Sequence, residues 1–164
     1  MQNKEEKPFI GLPLEVQLEQ CRGAAISFGK LCRAICESLG TKGVKMIRNV
    51  FLTDCEEFCK KVSYLKGSTP QEIGMTLVGL LVSWGAEVTI LEDSKEKFTY
   101  KVYKCPLGFT PEDKRPCSGV KAFDYIFAKR MGIQFRLVHR RTKDANYCLN
   151  TLYEEERDGE RQVQ

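Results

Sequence analysis

Residues 69–104 read TPQEIGMTLVGLLVSWGAEVTILEDSKEKFTYKVYK, and the hydrophobic period changes inside them. Thr69-Pro70-Gln71-Glu72 opens a helix by mechanism: Thr69 caps, Pro70 stands where a missing N–H costs nothing, and Glu72 closes a capping box. From Met75 to Trp84 apolar residues fall on nearly every side, so this is expected to be a buried central helix, with Gly74 and Gly79 admitting close neighbours and Gly85 ending it. Beyond Gly85 the period is two. Ala86 to Glu92 and Lys97 to Lys104, joined by Asp93-Ser94-Lys95-Glu96, form a β-hairpin with Phe98, Tyr100 and Val102 on one face.

Upstream, Leu14, Leu18, Cys21, Ala25, Phe28, Cys32, Ile35 and Leu39 recur at steps of four and three, which places one apolar stripe along a helix of 26 residues. Gly23 and Gly29 lie off the stripe and mark close approach of another backbone. Gly40 and Gly43 stop the helix. A second helix covers about Val44 to Leu65, and the short link makes an antiparallel hairpin. Downstream, the proline-rich stretch Cys105 to Ser118 reads as a loop, a fourth helix runs from Gly119 to Met131 with Phe123 and Phe127 inward, and Gly132 releases it. Ile133 to Arg140 and Tyr147 to Tyr153 are two further strands. The fold class is therefore α+β: an N-terminal helical hairpin and a central helix packed on an antiparallel ββαββ sheet.

At 164 residues and 18.8 kDa the chain is read as one domain, 1–164, with 1–12 and 154–164 flexible. A domain of this size buries about 70 % of its unfolded surface and needs no covalent staples. No apolar run approaches the roughly 20 residues that cross a bilayer, and Met1 to Lys7 lacks the apolar core of a secretory signal, so a cytoplasmic protein with reduced thiols and no membrane partner is expected. The net charge of +4 is too slight to imply nucleic acid. The positive charge does concentrate between Lys121 and Lys143, a region able to attract an anionic ligand, although a solvated basic face is the commoner reading.

Eight cysteines exceed ordinary usage for such a chain. Cys32/Cys36 and Cys55/Cys59 each have the i, i+4 spacing that puts two sulfurs on one helix face, which raises a four-thiolate site for zinc, cuprous copper or an iron–sulfur cluster. A hairpin folded about Thr41 and Lys42 offsets Cys55 from Cys32 by about 6 Å and Cys59 by about 12 Å. One compact site then does not close, and the thiols form a ladder in the order Cys21, Cys59, Cys55, Cys32, Cys36. Plain packing, successive soft-metal binding and a redox pair all remain readings of that ladder. Cys105 after a strand, Cys117 before a helix and Cys148 at the start of a strand form a second set, placed to converge at one end of the sheet. A helix N-terminus would favour the thiolate of Cys117, as nucleophile or metal ligand, against the alternative that Cys105 and Cys148 simply pack in the core.

His139, the chain's one imidazole, ends the face Ile133, Phe135, Leu137, His139 beside Arg140 and Arg141. There it reads either as a satisfied core residue or as a general base. Arg136, Arg140 and Arg141 are candidate carboxylate clamps, against solvent-facing arginines or, for Arg136 and Arg140, pairs with Glu87 or Asp144, and Tyr100 belongs to an aromatic set able to enclose a planar ligand, core packing being the commoner role. Phosphate loops, dinucleotide fingerprints, G-x-S-x-G elbows and H-E-x-x-H motifs are absent from the sequence.

Val102-Tyr103-Lys104-Cys105-Pro106, Cys117 a dozen residues on, and Asp144-Ala145-Asn146-Tyr147-Cys148-Leu149, behind long N-terminal helices, resemble the L-2-amino-thiazoline-4-carboxylic acid hydrolase-like proteins. More remotely they resemble the 4-vinyl reductase small-molecule-binding domain, which departs in carrying Gly-Asp shortly before its last cysteine. The resemblance implies Cys105, Cys117 and Cys148 as site residues, and either opening of cyclic C–N bonds or the binding of a small apolar ligand or cysteine-held metal. Two functions follow as expectations. The first is a small cytosolic hydrolase or lyase acting on a carboxylated heterocycle, with or without sulfur, with Cys117 and His139 catalytic and Arg136, Arg140, Arg141 and Tyr100 holding the ligand. The alternative is a module that binds a small molecule or a thiolate-bound zinc, copper, iron–sulfur cluster or haem for sensing or storage, with Cys105, Cys117 and Cys148, or else Cys32, Cys36, Cys55 and Cys59, as ligands. The expected partner is a small molecule, and a homodimer is left open.

Overall fold

A computed structural model describes residues 13–142 and 145–154, the side chains of 137–146 excepted. Helix α1 (Leu14–Leu39) turns through Gly40, at φ +53°, directly into α2 (Thr41–Lys61), and a single 3-10 turn (Ser63–Leu65) leads to α3 (Pro70–Ser83). Strands β1 (Glu87–Asp93) and β2 (Lys97–Lys104) follow, then α4 (Lys114–Val120), α5 (Ala122–Met131), β3 (Ile133–Thr142) and β4 (Ala145–Glu154). The four strands form one antiparallel sheet in the order β1-β2-β4-β3. The architecture is α+β, as the change of period implies.

The capping box forms in full: the Glu72 N–H donates to Thr69 Oγ1 at 3.3 Å and the Thr69 N–H donates to Glu72 Oε2 at 2.9 Å. Only one face of α3 is buried, through Ile73, Gly74 and Leu77, while Met75 and Val82 are exposed. This differs from the fully buried helix expected from composition, because a single sheet covers one side. Gly74 is needed there, since a Cβ would meet the Phe98 ring at 2.1 Å. On the same sheet face Phe98, Leu152 and, from α5, Phe127 and Ala128 are completely enclosed. Each large apolar side chain so buried contributes about 1.5–3 kcal/mol.

The hairpin differs from expectation in register. Because Gly40 alone links the helices, Gly43 lies inside α2, and the Phe28 and Phe51 rings meet at 5.5 Å. That contact sets residue 28, rather than 32, level with 51. The expected thiol ladder consequently breaks apart: Cys32 and Cys36 pack with Ile47, Phe51, Leu107 and Phe109, whereas Cys55 packs with Ile73, Leu77, Phe98 and Phe127. Cys21 is exposed, as are Leu14 and Leu39, and burial on α1 follows Ala25, Gly29, Cys32 and Cys36. Gly29 does admit a backbone, with the Leu107 carbonyl oxygen 1.9 Å from where a Cβ would stand. Nothing approaches Gly23 within 4 Å.

The loop between β2 and α4 is tied to α1. Arg33 Nε donates to Asp113 Oδ1 at 2.8 Å, Arg33 Nη2 donates to the Gly108 carbonyl, and the Asp113 carboxylate also accepts from the Thr110 N–H at 2.7 Å. Burial of Asp113 acts to raise its carboxyl, but the bonds from Arg33 and Thr110 prevail and hold it below the usual range. Pro106, Leu107 and Phe109 are thereby pressed inward. No helix among the described residues is long and apolar enough to cross a membrane.

Candidate functional site

Between the sheet and the helices lies a cavity of about 410 Å³, walled by α2, α3, β2, β4, the loop after β2, and the α4–α5 helix. Its wall is largely apolar: Phe51, Phe58, Leu77, Leu81, Trp84, Val102, Leu107 and Phe123. Against that background the polar groups stand out: Tyr100, Asn150, Lys121, Asp124 and the thiols of Cys105, Cys117 and Cys148, together with the exposed Asp54, Glu57 and Lys61 of α2.

The three cysteines expected to converge do line one space, brought there by a strand end, a helix and the central strand β4. Cys117 is not ahead of the helix but inside it. Pro116 occupies the first turn of α4, where its missing N–H breaks no helical bond, so the helix starts at Lys114 rather than at Gly119. The Lys121 N–H bonds the Cys117 carbonyl at 3.1 Å, and the Tyr125 N–H bonds the Lys121 carbonyl at 3.3 Å, so α4 and α5 run on with little break. Cys117, Lys121 and Asp124 therefore fall at i, i+4 and i+7, on one helical face.

Tyr100 on β2 and Asn150 on β4 are directly opposed partners in the sheet. They are 2 % and 5 % exposed, and no described residue hydrogen-bonds the Tyr100 hydroxyl or the Asn150 side-chain amide. A buried polar group without a partner costs about 1–3 kcal/mol, so two side by side on a cavity wall point to a ligand that satisfies them. Burial, with Asp124 and Cys148 adding to it, raises the Tyr100 hydroxyl well above its ordinary value. It is thus a neutral donor at physiological pH.

Asp124 faces the cavity's own space and so keeps partial exposure, yet the protein encloses it closely enough that burial lifts its carboxyl to about 7, with Lys121 opposing. Lys121 is lowered by burial, while negative charge at Cys117, Cys148 and Asp124 works the other way. No described residue forms a hydrogen bond or salt bridge with the Lys121 ammonium. Near neutrality the site consequently holds a carboxyl group ready to give or take a proton beside an amine held off its usual partners.

The remaining sequence candidates are placed elsewhere. Arg136 is exposed and lies off the cavity wall. The side chains of His139, Arg140 and Arg141 lie outside the described residues, the backbone register setting His139 opposite Cys148. Of the hairpin thiols, Cys55 and Cys59 approach to 3.8 Å, and Cys55 donates to the Phe123 carbonyl. Burial, with Cys59 adding to it, drives Cys55 up to about 12, and burial with Cys36 drives Cys32 to about 11. These two are protonated packing groups at neutral pH. Among the described residues no three Cys, His, Asp or Glu side chains are placed to hold a metal ion together.

Lys121 and Asp124 are not among the candidates read from sequence. Their signal is the spacing 117, 121, 124, two charges on the face of a helix that also buries Phe127 and half-buries Phe123. No protein-family model matches the chain, and no curated protein matches it.

Proposed function

We propose that this chain is a small-molecule-binding domain, and that the cavity between sheet and helices takes a compact ligand with an apolar body and one polar end. The observation that carries this reading is the Tyr100–Asn150 pair, buried, adjacent and unpartnered among the described residues, on the wall of a largely apolar space. Lys121 favours a ligand end with negative charge, and the apolar wall supplies affinity by burying the ligand's body. Trp84, the chain's one tryptophan, lines the same space and reports occupancy. Cyclohexanecarboxylate, transparent in the tryptophan window, is expected to shift Trp84 emission saturably, and cyclohexanecarboxamide to bind at least about tenfold more weakly for want of the charge. An unsaturable or absent response to both contradicts the reading.

A second reading, hydrolysis or lysis of a carboxylated, sulfur-containing heterocycle in this cavity, is favoured by Cys117 sharing a helical face with Lys121 and Asp124. The thiol would attack the ring carbon, its proton passing through Asp124 to the leaving nitrogen, and water would then add to the same carbon and release the thiol. Mass spectrometry of L-2-amino-thiazoline-4-carboxylate incubated with the protein tests it: ring opening lost in Cys117→Ser supports it, and an intact ring sets it aside.

A further inference from the structure

Lys121 is held by a backbone that leaves it no choice of surroundings. It sits at the junction of α4 and α5, between Val120 and Ala122, with Phe123 and Leu107 among the apolar residues of the cavity it enters. Two exposed lysines are paired, Lys60 with Glu57 at 2.7 Å and Lys97 with Glu92 at 2.7 Å. Lys121 has no such contact with a described residue, although Asp124 lies one turn along the same helix and acts on it electrostatically. Across the cavity, on the sheet side, the Tyr100 hydroxyl and Asn150 amide present donors that no described residue partners.

An amine in apolar surroundings, an acid one helical turn away and two donors opposite are the parts needed to convert a carbonyl group to an imine. We propose that Lys121 forms a Schiff base with an aldehyde or ketone held in this cavity, an inference that rests on the cavity being a ligand site. The neutral amine nitrogen adds to the carbonyl carbon, and the C=O electron pair moves to oxygen, which Tyr100 and Asn150 hold by hydrogen bonds. After a proton passes from nitrogen to that oxygen the intermediate is a carbinolamine. Asp124 then gives a proton to the hydroxyl, water leaves as the C=N bond forms, and the nitrogen's remaining proton returns to Asp124. Amine plus carbonyl becomes imine plus water, with nothing oxidised or reduced. Burial lowers Lys121 and so favours its neutral form more than at a surface lysine, and the Asp124 carboxyl, raised to about 7, supplies the acid.

The test uses the full chain, cyclohexanecarbaldehyde below stoichiometric excess, and sodium cyanoborohydride, which reduces an imine to a stable secondary amine. Peptide mapping of the wild-type protein is expected to place the label on Lys121 about tenfold or more above Lys129, an exposed lysine on the same helix. Lys121→Arg is expected to lose that label and keep the background on surface lysines, and Asp124→Asn to slow its appearance about tenfold or more. Labelling of Lys121 no greater than that of Lys129 in the wild-type protein overturns the proposal, and it does so without relying on any variant's folding. Cyclohexylmethanol, which cannot form an imine, separates the two levels of the argument. If it shifts Trp84 emission while the aldehyde leaves Lys121 unlabelled, the cavity reading stands and the covalent step falls; if neither happens, both fall.

Discussion

The hairpin and the cavity each hold cysteines, and the two sets show how one residue type takes different roles from its surroundings. Cys32 and Cys55 are closed in on all sides, at 1 % and 0 % exposure, and burial holds both as neutral thiols. Cys105, Cys117 and Cys148 are partly exposed, and the space they face is the cavity. A thiol in close packing behaves as a small apolar side chain, whereas a thiol facing open volume is available to a ligand or reagent. The spacing that draws attention to the hairpin pairs, i and i+4, reports a shared helical face and nothing about what fills the space opposite.

Alkylation carries the largest expected contrast. At pH 7 a thiol with a pKa of about 11 is ionised in roughly one molecule in ten thousand, and one near 12 in roughly one in a hundred thousand. In a Cys21→Ser background, which removes the exposed α1 thiol, limiting iodoacetamide is therefore expected to label cavity thiols before Cys32 and Cys55, as read by peptide mapping. Earlier labelling of Cys32 or Cys55 would break the comparison.

Asp124 gives the next effect. Its folded-state pKa, about 7, lies above the ordinary aspartate value of 3.8. Between those values the unfolded chain releases a proton that the folded chain retains, so stability falls as pH rises through this window and levels off above about 7. Denaturant unfolding at pH 4.5 and pH 7.5 should show that Asp124→Asn loses less stability across the window than wild type. Equal pH dependence in the two proteins would mean that Asp124 is not held in the enclosed setting described.

The smallest effect separates the two sets by packing alone. Cys32→Ala should destabilise the protein by about 1 kcal/mol, because the closed core cannot refill the space, whereas Cys117→Ala should cost only a few tenths of a kcal/mol at the cavity wall. Chemical denaturation of both variants measures the difference, and a larger loss at Cys117 would reverse the assignment.

What could be read from sequence follows how local each cause is. The capping box at Thr69 and the alternation through Phe98, Tyr100 and Val102 depend on residues a few positions apart, and both are found where the spacing puts them. The hairpin register depends on whether one residue or two make the turn. Gly40 alone makes it, which moves every pairing along the seam and separates Cys32 from Cys55. The stretch before Gly119 reads as loop because its three prolines and two cysteines follow no regular period, although Pro116, in the first turn of a helix, breaks nothing. That boundary hides the shared face of Cys117, Lys121 and Asp124. The burial of Asn150 depends on β4 lying beside β2 in the middle of the sheet, a fact of topology that no local pattern encodes.

The central claim is that Tyr100 and Asn150 are kept for a ligand and not for the fold. Thermal and denaturant unfolding of the double variant Tyr100→Phe/Asn150→Leu, alongside the Trp84 titration with cyclohexanecarboxylate, tests it most directly. Removing two buried polar groups that no described residue partners should stabilise the ligand-free protein by about 1–3 kcal/mol while abolishing the saturable emission change. A destabilised double variant that still binds would contradict the account, because the pair would then be serving the fold and the ligand would be held by other groups.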